Sequence, residues 1–339
     1  MGQPTSTALG VFGYLPGHPD FVRVRAAGRE VRRLEDWLER GLHQARWDMG
    51  GGFAVAYPRL YHRFLFRPDN SDRAVMGLLC ASQDCHQRPF PFAAFDLVKT
   101  SDWDTQAASL IARQDGFFTT MEALIRQVGR LSHIGQIHGQ VASTLSPSVA
   151  DEAREAPAPP PDEEARYANF LQETTCGDLG GSESPGHTQG AGRIGLALCW
   201  ELIALLGSGS DPRLLRHSIL IPLGRPAFAR QLELRFYVSL LSMLVQPHRA
   251  TLTLFWQLGG TQPGVLLASF REPTVDSFSA LLRSDGNTRG VWQPGRSELP
   301  SQATLPGLTD ATPLQELLTV LAMKRRGSDL NFQRPEHPR

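Results

Sequence analysis

"YHRFLFRPDNSDRAVMGLLCASQDCHQRPFPFAAFDLV", residues 61–98, holds three apolar runs: 61–67, 74–82 and 90–98. Turn-forming residues separate them, and short apolar runs bounded in this way read as strands. Upstream, "EVRRLEDWLERGLHQARWDM" at 30–49 sets Val31, Leu34, Leu38, Leu42 and Ala45 on one face, with Trp37 beside them. That spacing predicts a helix, to which Asp36 and Arg40 add an i,i+4 charge pair. A short strand is expected at 9–15, and a second helix where Met121, Leu124, Val128 and Leu131 line one face.

The later chain repeats the alternation without repeating the sequence. Helices are expected over 193–206 and 226–245, with the strand "SILIPLG" (218–224) between them. In 251–258, Leu252, Leu254 and Trp256 alternate, the mark of a half-buried strand. A turn at 259–264, a strand at 264–270 and a closing helix at 275–284 follow. Trp37, Trp200 and Trp256 each sit on or beside an apolar face and read as core. Strand–helix alternation in both portions argues for a layered α/β architecture.

Between the portions lies "TLSPSVADEAREAPAPPPDEEAR" (144–166), an alanine/proline tract flanked by carboxylates, and then the glycine-rich 176–192. Such composition favours extended chain over packed core, with "YANFLQETT" at most a short helix. The expected organisation is a first folded portion at 1–143, a disordered linker at 144–192, a second portion at 193–323 and a disordered tail at 324–339.

Composition narrows the function classes. Among 339 residues, 34 basic and 34 acidic side chains balance, so no overall field draws in nucleic acid or an anionic membrane. No run approaches the roughly 18 uninterrupted apolar residues of a membrane span. The amino end shows no secretion signal. Cys80, Cys85, Cys176 and Cys199 lack C-x-x-C spacing and read as reduced thiols of a cytoplasmic protein.

Chemistry is poorly advertised. "GYLPGHPD" has no Gly-Lys-Ser/Thr, and its prolines remove amides that would cradle phosphate. In "GSGSDPRLL" (207–215), Asp211 and Pro212 read as an ordinary helix start. Cys80, Asp84, Cys85 and His86 lie close together, but no further ligands complete a zinc set. His133 and His138 fall on different helical faces. No G-x-S-x-G elbow or activated cysteine is visible. His18 and Asp20 are near enough to pair, as turn-stabilising residues first and as catalytic ones second. No cofactor or metal site is expected.

Four blocks carry a resemblance. "FGYLPGHPDFVR" (12–23) resembles the amino-terminal signature G-K-L-P-x-x-G-D-F of the TagF family, also called ImpM, accessory proteins of bacterial type VI secretion. Gly13, Leu15, Pro16, Asp20 and Phe21 match, while Tyr14 stands in the lysine's place and Pro19 in the glycine's. "LEDWLERGLHQAR" is similar to the family's D-x-W-L-x-x-G-L-x-x-S-R helix through Trp37, Leu38, Gly41, Leu42 and Arg46. "GLLCASQDCHQRPFPF" resembles G-V-L-M-P-S-x-D-x-x-G-R-x-F-P-L through Gly77, Leu79, Ser82, Asp84, Arg88, Phe90 and Pro91. Here Ala81 replaces a proline and Gln87 a glycine. "TLTLFWQLGG" and "GVLLASFREPTVDSFSALL" are similar to the late strand and the closing strand–helix.

The resemblance implies a three-layer α/β/α sandwich with a mixed sheet, both portions forming one interrupted domain. It implies a non-enzymatic regulator that restrains type VI secretion after translation, in the cytoplasm, by binding the machine's forkhead-associated scaffold protein. Neither nucleic acid nor membrane insertion is implied, and the family supplies no catalytic residues to carry over. The residues expected to form a partner-binding or structural motif are Gly13, Leu15, Pro16, Asp20, Phe21, Arg23, Asp84 and Arg88. One rival is a hydrolase using His18, Asp20 and Asp84; another is a structural subunit of the machine. On the structural side, Asp20 is expected to cap backbone amides, with Phe21 packed beneath the turn.

Overall fold

A computed structural model describes residues 9–99, 108, 111, 115–144, 161–179, 199, 217–224, 227–245, 252–259, 264–283, 288–293 and 308–326. The three runs of 61–98 become β3 (Tyr61–Phe66), β4 (Arg73–Cys80) and β5 (Phe92–Lys99), an antiparallel meander with Phe66 opposite Val75 and Cys80 opposite Phe92. β1 (Gly10–Gly13) joins the far side of β5, and β2 (Val22–Val24) forms the edge beyond it.

On its other side β3 pairs with β7 (Thr253–Gln257), with Phe64 opposite Phe255, so strands of both portions share one sheet. β8 (Gly264–Ser269), β6 (Ser218–Leu223) and β9 (Val291–Trp292) complete the order β2-β1-β5-β4-β3-β7-β8-β6-β9. The β6–β9 pair is parallel and the other pairs are antiparallel, a mixed sheet.

Two apolar layers sandwich this sheet. On one face lie α1 (Arg29–Met49), the short α2 (Phe53–Ala56) and α7 (Asp276–Arg283), packing Trp37, Leu38, Leu42 and Phe278 onto Phe64, Phe255 and Leu267. On the other lie α3 (Asp115–Val128), α4 (Ile134–Ser143), α5 (Pro161–Glu173), α6 (Ala227–Val245) and α8 (Leu314–Arg326). Their Phe118, Met121, Ile137, Phe170, Leu241 and Leu317 cover Leu65, Met76, Leu254 and Trp256. The fold is the expected three-layer α/β/α sandwich. No described helix is long and apolar enough to cross a membrane.

Local expectations fared unevenly. β7 is buried on both faces, not half-buried: Leu254 and Trp256 enter one core while Phe255 enters the other. A strand sandwiched between helix layers has no solvent face, so an alternating pattern here divides two cores. Arg40 turns its Nε to the main-chain carbonyl of Asp36, at 3.2 Å, rather than to the carboxylate.

The linker expectation is corrected over residues 161–179. α5 starts on Pro161 with Asp162, Glu163 and Glu164 in its first turn, and it buries Tyr167 and Phe170 in the core. Residues that look like a solvated tract in composition are here the ordinary chemistry of a helix amino end. The tail expectation shortens too, because Lys324–Arg326 form the end of α8. The helix expected at 193–206 lies outside the described residues except for Cys199, which is helical and buried. Trp200 and the 207–215 turn also lie outside them.

Candidate functional site

The site is the place where the first and third motif blocks meet, at the β2 edge of the sheet. β1 ends at Gly13, whose φ of +128° is open to glycine, and a Cβ there would stand 2.2 Å from the Pro91 carbonyl oxygen. Pro16 and Gly17 then occupy the centre of a turn closed by His18 N–H to the Leu15 carbonyl, at 3.0 Å. Leu15 points inward to the core, while Pro16, Gly17, Pro19 and Asp20 are exposed.

The second loop, 82–90, is tied together by Asp84. One of its carboxylate oxygens accepts the His86 and Arg88 backbone amides at 2.9 and 2.8 Å, and the other accepts Arg88 Nε. Desolvation works against the Asp84 carboxylate, but these donors and the guanidinium charge outweigh it and hold its pKa below the ordinary value. The turn closes through Gln87 N–H to the Asp84 carbonyl at 3.0 Å, and Gln87 takes φ +62°.

The two loops are stitched to each other. Cys85 N–H donates to the His18 carbonyl at 3.1 Å, Arg88 Nη2 to the Pro19 carbonyl at 2.8 Å, and Ser82 Oγ to the Tyr14 carbonyl at 2.6 Å. Tyr57 Oη donates to the Ser82 carbonyl at 2.7 Å and anchors the pair to the α2 layer. Aromatic packing continues the stitching. Phe21 lies edge-on to Tyr14 and Phe90 at centroid distances of 5.6 and 5.1 Å. The Arg88 guanidinium lies 5.4 Å from the Tyr14 ring centre and that of Arg23 lies 5.5 Å from Phe21. Arg23 also pairs with Glu35 of α1.

Of the expected site residues, Gly13, Leu15, Phe21, Asp84 and Arg88 build this double loop. Arg23 braces its edge, and Pro16 and Asp20 face outward. The capping expectation for Asp20 fails: among the described residues its exposed carboxylate takes no hydrogen bond or ion pair, and Asp84 does the capping instead. The hydrolase residues form no hydrogen bonds with one another. The His18 ring meets the Leu131 carbonyl at 3.1 Å, Asp20 points to solvent, and Asp84 is closed upon Arg88. Cys80 of the rejected zinc set lies in β4, where burial pushes its thiol up to about 12. His133 and His138 are both exposed.

Sequence reasoning missed the roles of β2, Tyr57 and Ser82. β2 is three residues long and too short for a periodic signal, whereas Ser82 was visible within the third block. The product is a surface whose two loops are tied to each other by backbone and side-chain hydrogen bonds and whose Arg88 is held in place before any partner arrives, which lowers the ordering cost of binding.

Comparison with family models agrees with the motif reading over its first three blocks. Residues 10–143 match the family model described as TagF N-terminal domain, Type VI secretion system-associated. Among solved structures, the crystal structure of PA0076 from Pseudomonas aeruginosa PAO1 is similar at 19% identity and a TM-score of 0.45. The match covers 82% of this chain and 96% of that one. Comparison with curated proteins gives no match.

Proposed function

With residues 10–143 a TagF N-terminal domain, associated with type VI secretion, we propose that the protein is a non-enzymatic accessory regulator of a bacterial type VI secretion system. It acts after translation, in the cytoplasm, as a repressor that occupies the forkhead-associated scaffold component. The observation that supports this reading is the double loop. The family's signature residues interlock two distant chain segments and leave Pro16, Pro19, Asp20 and Arg88 on the surface.

Two residues separate presentation from architecture. Asp20 is exposed and bound to nothing described, so Asp20→Ala removes surface chemistry and leaves the loops standing. Arg88 joins three neighbours, so Arg88→Ala disturbs the loop's shape as well. In calorimetric titration of the full chain with purified scaffold protein, wild type binds. Asp20→Ala weakens binding about tenfold, equivalent to ~1.4 kcal/mol, at unchanged melting temperature. Folded wild-type protein that does not bind the scaffold overturns the partner assignment. Binding that Asp20→Ala and Arg88→Ala both leave intact overturns the placement of the surface.

A further inference from the structure

α8 carries two apolar stripes. Leu314, Leu317 and Leu321 are buried in the core, at the i, i+3, i+7 spacing of one helical face. Leu318 and Ala322, four residues apart, and Met323 lie on a second side, where they line an open groove with Leu171 of α5 and Met243 of α6. The groove has a volume of about 440 Å³, room for two large side chains. Gln315 and Thr319 are its polar lining among the described residues, and the Thr319 hydroxyl donates to the Gln315 carbonyl of its own helix at 2.8 Å. Leu171, Leu318 and Ala322 are half-buried and Met323 is 61% exposed, so apolar surface from three helices stands together in solvent.

What covers the groove follows from where the chain goes next. α8 ends at Arg326, about one turn past Ala322. Gly327 follows, the residue type that most readily reverses a chain at a helix end. Beyond it, residues 327–339 lie outside the described residues, and Leu330 and Phe332 are the large apolar side chains among them. They stand two apart in "GSDLNFQR" (327–334), the spacing that puts both on one side of an extended segment. The six residues from Gly327 to Phe332 reach about 20 Å when extended. From Arg326 back to Leu318 is about 12 Å of helix, so the tail is long enough to lay both side chains along the groove. We propose that residues 327–334 fold back beside α8 and dock Leu330 and Phe332 in the groove of α5, α6 and α8. The contact is intramolecular, so any protein that uses the same groove has to displace a tethered competitor. It rests on the groove and the tail alone and holds whatever the double loop binds.

The test is hydrogen peroxide footprinting of the full chain. Peroxide turns an accessible methionine into its sulfoxide, so Met323 reports whether the groove is covered. Half-buried Met49 of α1, on the opposite face of the sheet, is the reference. Wild type, Leu330→Asp/Phe332→Asp and Asn331→Asp/Gln333→Asp are compared by peptide mass spectrometry after brief exposure. The first pair removes the docking side chains, and the second adds the same charge to the other side of the extended segment. Met323 is expected to oxidise several-fold faster in Leu330→Asp/Phe332→Asp than in wild type. Asn331→Asp/Gln333→Asp is expected to follow wild type, with Met49 alike in all three. Equal Met323 rates in the three proteins overturn the proposal, as does equal acceleration by both pairs. Protection of wild-type Met323 that strengthens with protein concentration also overturns it, because the groove is then filled by a second copy. Every substituted position lies beyond α8, so no described contact is altered.

Discussion

His62 of β3 gives the fold an acid sensitivity whose sign and size follow from its surroundings. Its ring is fully buried, and Nε2 meets the Leu281 carbonyl of α7 at 3.0 Å. Because a carbonyl only accepts, Nε2 carries the proton, and Nδ1 is left without a hydrogen-bond partner. A second proton would place a charge in that apolar layer. Burial therefore pushes the pKa from 6.5 down to about 4, against a smaller upward pull from the Leu281 carbonyl.

The unfolded chain takes up its proton near 6.5 and the folded one only near 4, so through this window the unfolded state holds more protons. The contribution is fully present above about pH 6.5 and is lost as the pH falls toward 4. At about 1.4 kcal/mol per decade the gap amounts to roughly 3 kcal/mol. His62→Gln keeps a donor for Leu281 but cannot charge. Urea unfolding of both chains at about pH 7.5 and pH 4 cancels the carboxylates they share. Wild type is expected to lose roughly 3 kcal/mol more than the variant on acidification. Equal losses in the two chains would refute the reasoning.

Two further substitutions test the architecture. Gln87, exposed at φ +62°, holds a conformation that costs a residue with a Cβ about 1–2 kcal/mol. Gln87→Gly is therefore expected to raise stability by about 0.5–1 kcal/mol after the added freedom of the unfolded chain is subtracted, seen as a higher urea midpoint. Gly41 lets α1 approach α7 so closely that a Cβ would lie 2.5 Å from Phe278 Cβ. Gly41→Ala gains about 1 kcal/mol of helix propensity but overpacks the contact by about 1–3 kcal/mol. A net loss of about 1 kcal/mol is expected, and an unchanged or higher urea midpoint counts against this close approach.

What the sequence made legible tracks the range of the interactions concerned. β3, β4 and β5 were readable because each is a short apolar run between turn residues, and α1 because Val31 to Ala45 keep helical spacing over several turns. Sheet order was not readable. The β3–β7 pairing joins Phe64 to Phe255, and no local pattern chooses that neighbour over another apolar strand. α5 was misread because proline and carboxylates serve a solvated linker and a helix start equally well. In the site, Asp20 and Asp84 have the same side chain in similar loops and opposite fates. Asp84 had a legible cue in its spacing: the amides it accepts come two and four residues later, and the guanidinium it binds is also four later. Asp20 is followed by amides at the same spacing and by Arg23, but Val22–Val24 pair with β1 and Arg23 with Glu35, so the expectation of a cap rested on residue type alone.

The departures from the TagF pattern at Tyr14, Pro19 and Gln87 fall among residues that build the loop, whereas Glu35 and Ala45 lie in α1, and the structure shows how Tyr14 is accommodated. Tyr14 stands where the family pattern has lysine, and its ring packs against Phe21 and Phe90 with the Arg88 guanidinium 5.4 Å from its centre. A lysine ammonium held in that position would face Arg88 with like charge and lack a ring for the aromatic cluster. Arg88 meanwhile remains fixed by Asp84 and by the Pro19 carbonyl, the residue that replaces the pattern's glycine. Tyr14 and Pro19 thus both touch one guanidinium, from the ring side and from the carbonyl side. The carbonyl is one that a glycine at 19 would also present, so only the Tyr14 contact depends on the side chain that departs from the pattern, and Tyr14→Lys alone is expected to disturb Arg88. The loop's shape depends on Arg88's partners, while its message to another protein depends on the outward-facing residues, so the two can diverge separately.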